Sequence, residues 1–352
     1  MNDEHLTSIA KTYFEKLEST FTKACEKLNA QEELGLDIAN NGIHIKTAGI
    51  ALQSFICRAI MHLPQITASN GGLEILVWDE FESGINLPEP PNELFVHPNG
   101  KRYSQNTFGN YSIIYYENNT IFHLYDLVAD RAIVCLKNIH KLPNYFLAAP
   151  FFEVFKLWSK KVGLHILHAG CIANSSHSIL IVGKGGMGKS TTSIQSLIGG
   201  LNYLSDDYIL VKLGENPMAY SLFCSGKLHA NHLENFPTIS KIAFNKNKEI
   251  YDKPLMFLNE VYEDQILLKS PIKGIVAPQL NANEESSFES LSSFETLKAL
   301  APSTILQLRL GTNDDLKIMA DFTKSTSCYK LSLGTNLTGI TPIVSKLLKS
   351  LN

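Results

Sequence analysis

The sequence predicts an α/β protein in two parts. A P-loop domain over 150–352, its sheet flanked by helices, follows a smaller α+β domain over 1–149. Three observations predict it. Residues 178–198 read as strand, glycine-rich loop and helix, the opening of an α/β nucleotide-binding unit. Residues 4–125 mix one long helical pattern with short strand-like runs. At 352 residues the chain exceeds one ordinary small domain and suits two.

In the first part, Leu6, Ile9, Ala10, Phe14, Leu17, Phe21, Ala24 and Leu28 recur at helical spacing, predicting a helix over 4–30. Ile43, Ile45, Ile50 and Leu52 suggest strands or a strand-to-helix transition, and Leu73–Trp78 reads as a strand. Pro88, Pro90, Pro91, Pro98 and Gly100 make 83–102 largely loop. Tyr111–Tyr116 and Thr120–Tyr125 read as a hairpin, with Ala132–Leu136 as a third strand. Residues 147–160 turn helical, which places the domain boundary there.

In the second part, His165–Ala173 and Ser178–Val182 read as strands, Thr191–Ile198 as a helix stopped at Gly199-Gly200, and Tyr203–Leu213 as a strand pair. Asn281–Ser293 reads as a surface loop or weak helix start. Glu295–Leu300 and Ile340–Leu348 read as helices.

Composition narrows the function classes. Apolar residues at 44% and charged residues at 18% describe a chain able to build real cores. A net charge of −3 calls for neither nucleic acid nor an anionic membrane. No apolar run approaches the roughly 20 residues that span a bilayer, and Met-Asn-Asp-Glu-His opens no signal peptide. The six cysteines show no CxxC pairing and read as small buried hydrophobes in a reducing compartment. The expected location is cytoplasmic.

Gly183-Lys184-Gly185-Gly186-Met187-Gly188-Lys189-Ser190 satisfies G-x-x-x-x-G-K-[ST], with Thr191 following into the helix. Glycines let successive backbone N–H groups converge on phosphate oxygens, and the helix adds its positive end. The ligand expected is ATP, with Lys189 reaching the β- and γ-phosphates and Ser190 ligating Mg²⁺. Asp206 and Asp207 follow Lys189 by 17 and 18 residues. Of two carboxylates beside a γ-phosphate, one can hold metal and the other take a proton from an attacking hydroxyl.

With His168-Ala169-Gly170 before the loop and Leu204-Ser205-Asp206-Asp207-Tyr208 after it, the sequence resembles the HPr kinase/phosphorylase family over about residues 145–350. It looks closest to relatives that phosphorylate a serine of ribosomal peptide precursors such as lasso peptides. Ser225-Gly226-Lys227, Leu297–Leu306 and Leu331-Ser332-Leu333 look like that subgroup's second half. The resemblance implies a Mg-ATP-dependent kinase with a peptide or small-protein substrate. Its active-site histidine would be His168, its phosphate-binding lysine Lys189 and its catalytic base Asp207, with Asp206 assisting or binding metal. Relatives assemble into hexamers, so a homo-oligomer is among the expected states. The family's later glutamate and arginine have no clean counterpart; Glu234 or Glu215, and Lys227, Lys269 or Lys273, are the candidates. Arg309 reads as a surface charge, and His165 as a structural residue on the face opposite His168.

Other readings start from the same residues. Lys184 through Thr191 also fits the deviant loop of ParA/MinD ATPases, which dimerise on ATP. Against it stand roughly 180 residues before the loop and adjacent aspartates at shorter range than a full βαβ unit requires. No Leu-Ser-Gly-Gly signature supports a transport ATPase. A kinase of a free small molecule such as serine, and a non-enzymatic nucleotide-binding scaffold, also remain.

Overall fold

The computed structural model describes residues 3–67, 71–94, 103–116, 120–245, 253–308 and 313–351. It is mixed α/β, with large sheets flanked by helices. Two compact units divide the chain: residues 1–58 with 63–162, and 59–62 with 163–352. The helix Phe152–Lys161 therefore lies in the first unit, and four residues of the N-terminal half lie in the second.

The first unit is a seven-stranded sheet in the order Gln31–Ile38, Asn41–Ala48, Leu73–Asp79, Arg131–Leu136, Ile121–Asp126, Tyr111–Tyr116, Tyr103–Phe108. The long helix, Asp3–Leu28, presses Ala10, Phe14, Leu17 and Phe21 onto a face that includes Trp78, Leu124 and Ile133. That is the apolar stripe its spacing predicts. The expected hairpin forms, although its turn, 117–119, lies outside the described residues. The helical pattern of 147–160 is two helices, Asn144–Ala148 and Phe152–Lys161. Pro150 and a left-handed Phe151 (φ 58°) separate them.

In the second unit, nine strands form one hydrogen-bonded set among the described residues. The strand Lys269–Leu280 ties it together. Its start pairs antiparallel with Met218–Ser221, and its later part runs parallel between Ser178–Ile181 and Ser327–Leu333. Ser287–Ser290 adds an edge strand on Ser327–Leu333, where the sequence suggested loop or helix start. Its side chains are mostly exposed, so no buried face marks it in the sequence.

The run His165–Ala173 is not one strand. His165–Leu167 pairs with Ile209–Lys212 on one side of the set, and Gly170–Ala173 with Asn202–Ser205 on the other. Two antiparallel segments thus cross between sheets at the same level, one at 168–169 and the other at 206–208. Strict alternation does not carry across such a break, so the opposite-face argument for His165 fails. It remains on the strand before the break, half-buried and opposite Val211. No helix among the described residues is long and apolar enough to cross a membrane.

Candidate functional site

The glycine loop leaves the end of strand Ser178–Ile181 and enters the helix Lys189–Ile198. Gly183, Gly186 and Gly188 have φ of 144°, 83° and 98°, which L side chains rarely adopt. A Cβ on Gly185 or Gly186 would meet nothing within 4 Å, so the space over the loop is open. At Gly188 a Cβ would lie 2.3 Å from Leu333 Cδ1, so the helix start is seated against the end of the strand Ser327–Leu333. Lys184, Gly185 and Gly186 are exposed, Met187, Ser190 and Thr191 half-buried, and Gly183 and Lys189 buried. The Lys189 ammonium donates to Gly183 O at 2.7 Å and approaches Lys184 O at 3.4 Å. Burial lowers its pKa, while Asp207 and Asp206 pull the other way.

The helix is held from two sides. Ile194 and Leu197 pack with Tyr203, Leu228, Phe236 and Met256. Gln195 O accepts from Thr341 Oγ1 at 2.9 Å, and a Cβ on Gly199 would strike that hydroxyl at 2.3 Å. A Cβ on Gly170 would come within 2.5 Å of Ser193 Oγ, so strand and helix are in close apposition beside His168.

The two sheet-crossing points bring His168 and the acid pair together. His168 Nε2 lies 3.7 Å from Asp207 Oδ1, longer than a hydrogen bond. The His168 backbone N–H donates to Thr304 Oγ1 at 3.2 Å, and its buried Nδ1 has no partner among the described residues. Ser205 Oγ lies 3.2 Å from Ala169 O and 2.8 Å from Tyr208 O, joining the two breaks. Burial lowers the His168 pKa despite Asp207, which favours the neutral ring.

Lys227 completes the cluster. It ends the short strand Ser225–Lys227, which pairs with Leu255–Phe257. Its ammonium lies 2.7 Å from Asp207 Oδ2, and its backbone N–H donates to Asp206 Oδ2 at 3.1 Å. One residue therefore grips both carboxylates. Burial works against the Lys227 charge, but Asp207 outweighs it and the pKa rises. Burial likewise works against the Asp207 charge, and Lys227 with His168 overcomes it, holding this carboxyl well below the usual range. Asp206 goes the other way. Burial and the neighbouring Asp207 charge push it up to about 7, against the Lys227 N–H and the Ser190 hydroxyl.

Of the three lysines that the sequence offered, Lys227 is in the cluster, whereas Lys269 and Lys273 sit on exposed strand positions. Glu215 and Glu234 are exposed, and Arg309 lies outside the described residues. Among the described residues, no three His, Cys, Asp or Glu side chains gather to hold a metal. The donor set still suits Mg²⁺, which is held by one or two carboxylates together with phosphate and water oxygens. Asp206 Oδ1 is buried with no hydrogen-bond partner among the described residues, and Ser190 stands beside this carboxylate.

No family model matches the chain, and no curated protein does. Among solved structures it is similar to the HPr(Ser) kinase/phosphatase from Coxiella burnetii. Identity is 11%, over 53% of this chain and 99% of that one, with a TM-score of 0.29. A likeness of that size carries no functional argument, so the chain's own residues must carry it.

Proposed function

We propose that the second unit transfers the γ-phosphoryl group of Mg-ATP to a hydroxyl, most specifically a serine of a peptide or small protein such as a ribosomal peptide precursor. The observation that carries this reading is the close approach at Gly170, where a Cβ would lie 2.5 Å from Ser193 Oγ of the helix after the glycine loop and 3.4 Å from Asp206 O, which sets that helix beside the acid pair. A phosphate-binding loop and an ionised carboxylate then face one reaction space.

The loop backbone and Lys189 bind the phosphates, and Ser190 with Asp206 would hold Mg²⁺. The metal would neutralise charge on the phosphate oxygens. Asp207, ionised at neutral pH, accepts a hydrogen bond from the acceptor hydroxyl and aims its oxygen at phosphorus. As the new P–O bond forms and the bond to the β-phosphate oxygen breaks, the hydroxyl proton passes to Asp207. The electron pair leaves with ADP. A carboxylate of such low basicity suits a loose transition state, in which the proton moves late and positioning matters more than base strength. Cationic Lys227 orients Asp207 through Oδ2, and the neutral His168 ring borders the other oxygen at 3.7 Å. The first unit would recruit the acceptor.

Mass spectrometry of the protein with Mg-ATP and candidate peptides tests the reading. Phosphate on a peptide serine, lost in Asp207→Asn, supports it. Phosphate on free serine instead would move the acceptor to a small molecule. ATP-driven dimerisation without transfer would favour a ParA/MinD-like ATPase.

A further inference from the structure

The strands Ser178–Ile181, Lys269–Leu280 and Ser327–Leu333 run parallel, so their carboxyl ends share one edge of the sheet. Ligands of open α/β sheets bind outside that edge. The first of these strands ends in the glycine loop, and the other two end in the segments 281–286 and 334–338. These segments are stitched by backbone bonds. Asn281 N donates to Leu333 O at 3.0 Å, Thr335 N to Asn283 O at 2.9 Å and Asn336 N to Glu284 O at 3.1 Å. Gly334 N donates to Ser286 Oγ at 3.0 Å. The approach is so close that a Cβ on Gly334 would lie 2.3 Å from Glu284 O. The rim is thus fixed before any ligand arrives.

On this rigid rim Leu280, the last residue of its strand, is 61% exposed. Its Cδ2 comes within 3.6 Å of the position a Cβ would take on Gly188 of the phosphate loop. A large aliphatic side chain held open to solvent beside a phosphate-binding loop offers a flat apolar face. It stands beside that loop, on the sheet edge outside which ligands of such sheets bind. Exposed Asn283, Glu284 and Glu285 border it with hydrogen-bonding groups suited to the edge of a base.

We propose that Leu280 and the stitched segments 281–286 and 334–338 form the seat of the nucleotide's purine base. This rests on the phosphotransferase reading and extends it to the base subsite. A rim already ordered in the free protein loses little entropy on binding, so its contribution falls on nucleotide affinity rather than on turnover.

The test is calorimetric binding of MgATP and of magnesium tripolyphosphate to the full chain, with Leu280→Ser as the variant. Because Leu280 is exposed, its replacement leaves the core intact. The expected result is MgATP affinity weaker by about tenfold, the loss of one exposed apolar contact, with tripolyphosphate affinity unchanged and Leu280→Met near wild type. Equal affinities of wild type and Leu280→Ser for MgATP overturn the base seat while the nucleotide reading stands. Equal weakening of both ligands also overturns it, by showing that Leu280 acts on the loop. A wild-type chain that binds neither ligand removes the nucleotide reading and the base seat together.

Discussion

Lys227 holds both aspartates, one through its side chain and one through its backbone, and replacement separates the two effects. Lys227→Met removes only the ammonium, so Asp206 keeps its N–H while Asp207 loses its main counter-charge. A positioned charge of this kind is worth two or more orders of magnitude in rate, so kcat should fall about 100-fold, with Lys227→Arg recovering part. A shift of the acid limb of the pH–rate profile toward neutrality should accompany the fall, which a purely structural role would not produce. Asp206 supplies a stability prediction. Its pKa is raised in the folded state, so between about pH 4 and 7 the folded chain binds more protons than the unfolded one, and stability falls as pH rises through that window. Asp206→Asn has no such cost and should be more stable than wild type at pH 8, the gap closing toward pH 4. Asp207 acts in a different window, since its depressed pKa gives stability that is lost only in stronger acid. Urea melts across pH would show either pattern. Lys189 and Ser190 could be named from a contiguous loop motif, and the aspartates from their spacing after Lys189 together with the family resemblance. Lys227 was one of three candidate lysines, because its place depends on pairing with Leu255–Phe257, which no local pattern announces.

At the level of elements, the seating of the helix Lys189–Ile198 depends on glycines whose missing side chains are sites of contact. Gly188→Ala must adopt φ near 98° and push Leu333 aside. About 1–3 kcal/mol of stability should be lost, measurable by denaturant melting. The strand, loop and helix were readable because motif and periodicity coincide there. The division of 165–173 was not, since Leu164, Ile166, Leu167, Ala169 and Cys171 stay apolar across the break and both flanking sheets bury them. Only the partner strands reveal the crossing. The same crossing, rather than the face of one strand, is what brings His168 to Asp207.

In the whole molecule, residues 59–62 belong to the unit that carries the site. Ala59 O accepts from Cys224 N at 2.8 Å, three residues before Lys227. His62 Nε2 lies 2.8 Å from Ser221 Oγ, which itself donates to Leu204 O at 2.8 Å, just ahead of the acid pair. Residues 163–352 alone lack these braces and should melt at lower temperature than the second unit does in the full chain. His62→Ala in the full chain should lose about 1 kcal/mol. Deleting 1–145 to test acceptor recruitment would therefore confound recruitment with a loosened site, whereas point changes on the first unit would not. The sequence boundary at 149/150 came from one helical run and could not show a four-residue excursion, which has no composition of its own. Lys269–Leu280 is hydrogen-bonded through residues 269–271 into one part of the nine-stranded set and through 272–280 into the other, so its middle is held whichever part opens first. Deuterium should enter the amides of Ile275 and Val276 last of all, and at one common rate, whether the chain is perturbed near Met218–Ser221 or near Ser327–Leu333.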